Sequence, residues 1–252
     1  MVIEVCGLTD IGKHRELNED SFRLGGFLDG KPLGVCVLAD GMGGHNAGEI
    51  ASSMAADIVT NELLEALDES DDSKITLNMA EAIDFANSSV FERSLRSREQ
   101  SGMGTTLVVA YVKDSLVRIA NIGDSCAYVV SKTQIQKITV DHSVVEELVQ
   151  RGSITRQEAR NHPDKNIITR ALGTEEFVDA DFYDYNLSEG ETVILCSDGL
   201  TETVTDERIK EIINENEDVN TVAESLVAEA NKNGGVDNIT VVVIRAQKEE
   251  RV

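Results

Sequence analysis

The stretch that most constrains this chain is Val35 to Gly44, Val-Cys-Val-Leu-Ala-Asp-Gly-Met-Gly-Gly. An apolar run from Val35 to Ala39 ends on an acid, and glycines stand at 41, 43 and 44. An apolar run this short, closed by glycine, reads as a buried strand. Asp40 then stands at the strand's end, where a core opens to a rim. The glycines permit a sharp turn and a close backbone approach to a ligand. A helix is expected just after them.

Three more acids occupy the same kind of place. Asn121-Ile122-Gly123-Asp124 follows the strand-like Leu116 to Ala120, and Ser197-Asp198-Gly199 follows Thr192 to Cys196. Gly234-Gly235-Val236-Asp237-Asn238 precedes the strand-like Ile239 to Ile244. Buried carboxylates repel one another and resist desolvation, so they are normally paired or bound to a metal. No basic residue stands beside these acids in the sequence. Hard oxygen ligands without His or Cys suit magnesium or manganese. In antiparallel sheets the end of one strand and the start of the next share a rim. Asp40, Asp124 and Asp198 at strand ends are therefore expected to meet Asp20 and Asp237 at strand starts.

The formal net charge of −23 over 252 residues argues against nucleic acid or an anionic membrane as partner, since both need basic patches. It favours cations and basic protein segments, and it also keeps a chain soluble. Cys6, Cys36, Cys126 and Cys196 lie far apart in or beside apolar runs, with no C-x-x-C pair. They read as small buried thiols in a reducing compartment. No apolar run approaches the ~20 residues of a membrane span, and the expected location is cytoplasmic.

Taken in order, Val2 to Leu8 and Ser21 to Phe27 read as strands around the polar, turn-prone Thr9 to Asp20, and Asp29-Gly30 as a hairpin turn. Ile50, Met54 and Ile58 form the stripe of a helix running to about Leu67, followed by an acidic loop from Asp68 to Ser73. Met79, Ile83, Ala86 and Val90 mark a second helix ending near Arg98. Gly104 to Val112 and Leu116 to Ile122 read as paired strands, with a further hairpin at Cys126 to Val130 and Gln134 to Ile138. The polar stretch from Asp141 to Gly173 carries two short helical pieces, Val144 to Gln150 and Arg156 to Arg160. A long excursion of this kind is usually functional. Strands return at Phe182 to Tyr185 and Thr192 to Cys196, helices at Arg208 to Ile213 and Val219 to Ala230, and Ile239 to Ala246 closes the fold. The order suits sheets in the middle and helices outside, with no repeat and no interdomain linker.

These residues resemble the PPM family of metal-dependent protein phosphatases, the type 2C serine/threonine phosphatases, in their bacterial form. The matching pieces are Gly12-x-x-Arg15-x-x-Asn18-Glu19-Asp20, Asp40-Gly41-Met42-Gly43-Gly44-His45 and Gly102-Met103-Gly104-Thr105-Thr106. They continue with Asn121-Ile122-Gly123-Asp124-Ser125, Asp141-His142-Ser143, Thr169-Arg170-Ala171-Leu172-Gly173, Cys196-Ser197-Asp198-Gly199-Leu200 and Gly235-Val236-Asp237-Asn238. Each motif alone is weak. Together, in family order over nearly the whole chain, they are specific.

The resemblance implies an α+β fold, a four-layer α-β-β-α sandwich of two antiparallel sheets flanked by helix pairs. It implies one phosphatase domain over residues 1–248, with a flap subdomain at about 144–172. It implies two core Mn2+ or Mg2+ ions bridged by Asp40 and a water or hydroxide, with Asp198 and Asp237 completing one shell. The Gly41 carbonyl would ligate the other ion, Asp20 and Glu19 acting there directly or through water. Asp124 with Asp198 resembles the weaker third metal site of bacterial members, and Arg15 would hold the substrate phosphate. The implied partners are phosphorylated proteins, as targets of a serine/threonine kinase, and the kinase itself, with the protein a monomer.

Two cations close together lower the pKa of a bridging water and neutralise phosphoryl charge, so attack needs no covalent nucleophile on the protein. Animal members carry a His after the Asp-Gly pair, proposed to protonate the leaving alkoxide. Here Met42 stands there, as in bacterial relatives. His45 is expected to pack or cap the following helix, and His142 and His162 to be structural or flap residues. No Cys is followed by Arg six positions on, which argues against a cysteinyl-phosphate mechanism, and no P-loop is present. The alternative function is a catalytically weak phosphoprotein-binding module on the same fold. Against it stands the retention of Asp20, Asp40, Asp198 and Asp237.

Overall fold

The computed structural model describes residues 1–27, 33–43, 47–66, 74–96 and 98–247. The Asp29-Gly30 turn, the acidic loop at 68–73 and His45 lie outside the described residues. One antiparallel sheet has strand order β1 (Val2–Asp10), β11 (Ile239–Gln247), β10 (Thr192–Cys196), β7 (Cys126–Val130) and β8 (Ile135–Lys137). The other has order β2 (Asp20–Gly26), β3 (Leu33–Met42), β5 (Leu107–Lys113), β6 (Leu116–Ile122) and β9 (Asp181–Asn186), with the two-residue β4 (Gly104–Thr105) paired to the end of β3. Helices α1 (Ala47–Glu65) and α2 (Ile75–Ser94) cover the outer face of the second sheet. Helices α6 (Asp206–Glu215) and α7 (Val219–Lys232) cover the first. The architecture is the four-layer α-β-β-α sandwich.

Strand periodicity explains why the central strands read as continuous apolar runs. Successive side chains point to opposite faces. Val35, Val37 and Ala39 of β3 enter the layer beneath α1 and α2, while Cys36 and Leu38 enter the layer between the sheets. In β10, Ile194 and Cys196 face α6 and α7 while Val193 and Leu195 face the other sheet, and β11 alternates likewise. A strand buried on both faces shows no polar alternation. The β5–β6 hairpin turns at Asp114, whose φ of +54° is a conformation Asp tolerates better than most side chains. Thr205 caps α6 by accepting from Arg208 N–H, and Asp218 caps α7 by accepting from Thr221 N–H.

The excursion after Asp141 contains the two short helices expected, α3 (Val144–Gln150) and α4 (Arg156–Ala159). Ser143 caps the first, and a Thr155–Glu158 capping box starts the second. A bridge between Ser143 and Ile168 and the Thr169 N–H bond to His142 O bring both ends of the excursion to one place.

Three local differences from the sequence reading have physical causes. The strand expected from Gly104 to Val112 breaks at Thr106, whose N–H and hydroxyl are both taken by the backbone of Asp40. The second helix stops at Ser94, whose hydroxyl bonds back to Phe91 O. A short helix, α5 (Asp198–Thr201), follows β10 where the sequence reading assigned no element. Gly199 allows it, since a Cβ there would run into the Asn238 carbonyl.

Candidate active site

One rim of the sandwich collects the ends of β3, β6 and β10 and the starts of β2 and β11. Ladder register sets Asp20 directly opposite Asp40. Asp124 lies just past β6, Asp198 opens α5 just past β10, and Asp237 stands just before β11. Strand polarity thus brings acids as far apart in the chain as Asp20 and Asp237 to one edge, as expected.

Their electrostatics reflect that crowding. Burial first, then the charges of Asp20, Asp198, Asp124 and Asp237, hold the Asp40 carboxyl well above the usual carboxylate range. Burial, then Asp124 and Asp237, does the same to Asp198. Asp20 is 7% exposed, and burial pushes it up to about 6 against hydrogen bonds from Thr240, Ser197 and Asp40 that pull it down. Asp124 is pushed up to about 6 by burial and then by Asp141.

Backbone and hydroxyl bonds hold the acids in place. Thr105 Oγ1 and Thr106 N–H both donate to Asp40 O, each at 2.8 Å. Asp40 N–H donates to Thr106 Oγ1 at 2.9 Å, and that hydroxyl meets Ser125 Oγ at 2.7 Å. Ser197 Oγ and Thr240 Oγ1, from the opposite sheet, donate to Asp20 Oδ2 at 2.8 and 2.6 Å. Gly41 N–H donates to Glu19 O at 3.0 Å, and α1 comes so close that a Cβ on Gly41 would strike the Gly48 carbonyl. This close approach is why the position after Asp40 has no side chain.

Asn238 organises the β1–β2 loop. Its Oδ1 accepts from Glu19 N–H at 2.9 Å, and its Nδ2 donates to Ile11 O and Leu17 O, both at 3.0 Å. That loop carries Arg15, half-exposed, whose Nη2 donates to Asp237 Oδ2 at 2.6 Å. A basic partner for one acid therefore exists, although it stands 222 residues away. His142 is a brace, as expected. Its Nδ1 accepts from Gly123 N–H at 3.1 Å, fixing the turn before Asp124, and its Nε2 lies 3.3 Å from Asp181. His162 accepts from Asp164 N–H within the excursion. A cleft of about 430 Å³ separates Asp124 and Asp198 from Arg160 and Lys165 of the excursion.

The donor set fits hard divalent cations. Asp20 Oδ1 and Asp198 Oδ1 are buried without any hydrogen-bond partner. An orphaned carboxylate oxygen is costly unless a cation or water satisfies it. Among the described residues no three His, Cys, Asp or Glu side chains close on a single point tightly enough to hold an ion unaided. Asp237 is turned onto Arg15. An open oxygen set of this kind suits ions that retain several waters, as magnesium does.

Residues 12–234 match the family model for protein phosphatase 2C. The chain belongs to this family. Among phosphatase 2C relatives it is 37% identical to the serine/threonine phosphatase stp of Listeria monocytogenes serotype 4b, over 94% of this chain and 93% of that protein. The S. agalactiae serine/threonine phosphatase superposes with a TM-score of 0.91 at 35% identity, covering 97% of this chain and all of that one. The catalytic domain of the serine threonine protein phosphatase PstP, solved in complex with 2 manganese ions, gives a TM-score of 0.84 at 32% identity, covering 98% and 99% of the two chains.

Sequence reasoning located the acids and missed what holds them. Thr105, Thr106, Ser125, Ser197, Thr240 and Asn238 hold the acids or their loops in place. All but Thr240 fall within the phosphatase motifs, which is the signal that could have pointed to them. Nothing in their spacing names their partners.

Proposed function

We propose that the carboxylate rim is the active centre of this serine/threonine protein phosphatase, which hydrolyses phosphoserine and phosphothreonine by direct attack of water. The observation that carries the reading is the pair of orphaned, buried oxygens on Asp20 and Asp198 within a group of mutually repelling carboxylates. Two divalent cations, manganese or magnesium, supply when bound a water of lowered pKa and neutralise phosphoryl charge.

In this reading Asp40 would serve two ions, with Asp198 and Asp237 helping to hold one and the Gly41 carbonyl and Asp20 the other, while Asp124 with Asp198 would hold a weaker third. Thr105 and Thr106 keep Asp40 from drifting, and Ser197 and Thr240 hold one oxygen of Asp20 so that the other faces the rim. Arg15 binds the substrate phosphate with a planar guanidinium that stays charged. Its contact with Asp237 keeps that group at the rim. His142 is committed to Gly123 and Asp181, which removes it as a proton donor to the leaving group. The segment 144–172 acts as a flap within one phosphatase domain of residues 1–248.

The partners are phosphoproteins made by a serine/threonine kinase, the kinase itself among them, and the protein works as a cytoplasmic monomer. No described helix is long and apolar enough to cross a membrane. The test is phosphate release from a phosphothreonine peptide. It should require manganese, stop with chelator and resist okadaic acid and vanadate. A protein that binds manganese and phosphopeptide without turnover would overturn this reading in favour of a phosphoprotein-binding module.

A further inference from the structure

A second cleft, of about 410 Å³, opens beside the rim between the end of β3 and the loop 174–179 that follows the excursion. Met42, two residues after Asp40, forms one wall, and Ile168, Glu175, Phe177, Val178 and Asp179 are among the residues that face it. The most unusual member is Phe177, which is 82% exposed. An aromatic ring left in water on a mixed polar and apolar wall is the kind of group that anchors a bound chain.

The loop that carries this ring is built rather than loose. Buried Asn87 of α2 donates to Glu175 O at 3.1 Å and to Glu176 O at 3.0 Å, while its Oδ1 accepts from Gly173 N–H at 2.7 Å. Gly173 has φ +84° and lies so tightly on Val90 that no side chain fits there. Gly104 ties the loop to the catalytic strand. A Cβ there would fall 2.6 Å from Thr174 Cγ2 and 3.0 Å from Met42 Cε. The backbone leading into Phe177 is thus anchored to α2 and packed beside the end of β3.

Charge selects the occupant. Glu175 and Asp179 are exposed on this wall. Among the described residues that line the cleft the one cation is Arg170, which already donates to Asp181 Oδ1 at 2.9 Å and to Asp179 O at 3.2 Å. The wall therefore presents net negative charge next to apolar surface, beside the rim where the phosphate would sit.

We propose that this cleft is a specificity subsite for the substrate polypeptide, taking an apolar side chain against Phe177 and a basic side chain against Glu175 and Asp179, on residues flanking the phosphorylated one. The proposal rests on the phosphoprotein-phosphatase reading and names the sequence that such a site selects.

The test compares kcat/KM of the manganese-loaded protein on p-nitrophenyl phosphate and on phosphothreonine peptides flanked by Arg and Leu or by Glu and Ser. Phe177→Ala should lower kcat/KM on the Arg/Leu peptides by about 5- to 10-fold, the loss expected of an interface anchor. The double variant E175Q/D179N should lower it by about 3-fold at low salt and hardly at all at high salt, as exposed charge pairs do. Both variants should leave p-nitrophenyl phosphate turnover and thermal midpoint unchanged. Equal turnover of the two peptide classes by the parent, no selective loss in either variant, or equal loss on p-nitrophenyl phosphate would overturn the subsite. A parent that hydrolyses p-nitrophenyl phosphate and no phosphopeptide would instead overturn the phosphoprotein reading, and the subsite with it.

Discussion

Asp20→Asn in metal-free protein tests the electrostatic account of the rim in an unusual direction, because the variant should be more stable than the parent. Burial lifts the Asp20 carboxyl from 3.8 to about 6. A carboxyl raised that far has its ionised form disfavoured in the folded state by roughly 3 kcal/mol. Asp20 titrates together with its neighbouring carboxyls, so we take about 2 kcal/mol for Asp20 alone. A carboxyl with a raised folded pKa is neutral in both states below the unfolded value. Its cost appears as pH rises through about 4 and is complete above about 6. An Asn keeps an oxygen to accept from Ser197 and Thr240 and turns an amide towards Asp40. In chelator at pH 8 the variant should be about 2 kcal/mol more stable in urea unfolding, or melt about 4–8 °C higher, and the gap should close by pH 4. Saturating manganese should reverse the order, because an ion at 100 times its Kd adds about 2.7 kcal/mol to the form that binds it. A variant less stable than the parent in chelator at pH 8, or a gap independent of pH, would refute the reasoning.

Two further predictions concern the groups around the acids. Arg15→Ala should raise KM for phosphopeptide by about 10- to 100-fold with a smaller fall in kcat, and Arg15→Lys should recover only part of it, since the planar fork matches phosphate and the ammonium does not. Steady-state kinetics decides, and a pure kcat effect would contradict the role. Thr106→Val removes the hydroxyl that accepts from Asp40 N–H and meets Ser125. It should cost about 1–3 kcal/mol in urea unfolding and weaken manganese binding by about 10-fold, as groups that support a metal ligand do.

The layers of this fold were legible because strand and helix periods are local. Val35 to Ala39 announced a buried strand, and the structure divides those residues between two cores. The shared rim was legible from strand polarity alone, and β2–β3 register confirms it for Asp20 and Asp40. Partners remote in sequence were not legible. Asn238 bonds to residues 11, 17 and 19, and Arg15 pairs with Asp237, through contacts that no spacing encodes. Thr106 read as strand within the stretch Gly104 to Val112, yet the Asp40 backbone takes its N–H and hydroxyl and interrupts the strand. The exposed Phe177 carried no periodic signal, and only its surroundings in the fold set it apart.

The central claim is that the rim acids form a cation site that does the chemistry. Calorimetric titration of manganese into chelator-stripped protein tests it most directly, with the parent beside Asp40→Asn. The account predicts two tightly bound ions in the parent, loss of that uptake in the variant, and phosphopeptide turnover that rises in step with binding. Phosphopeptide hydrolysis without manganese uptake, or uptake and turnover unchanged in Asp40→Asn, would contradict it.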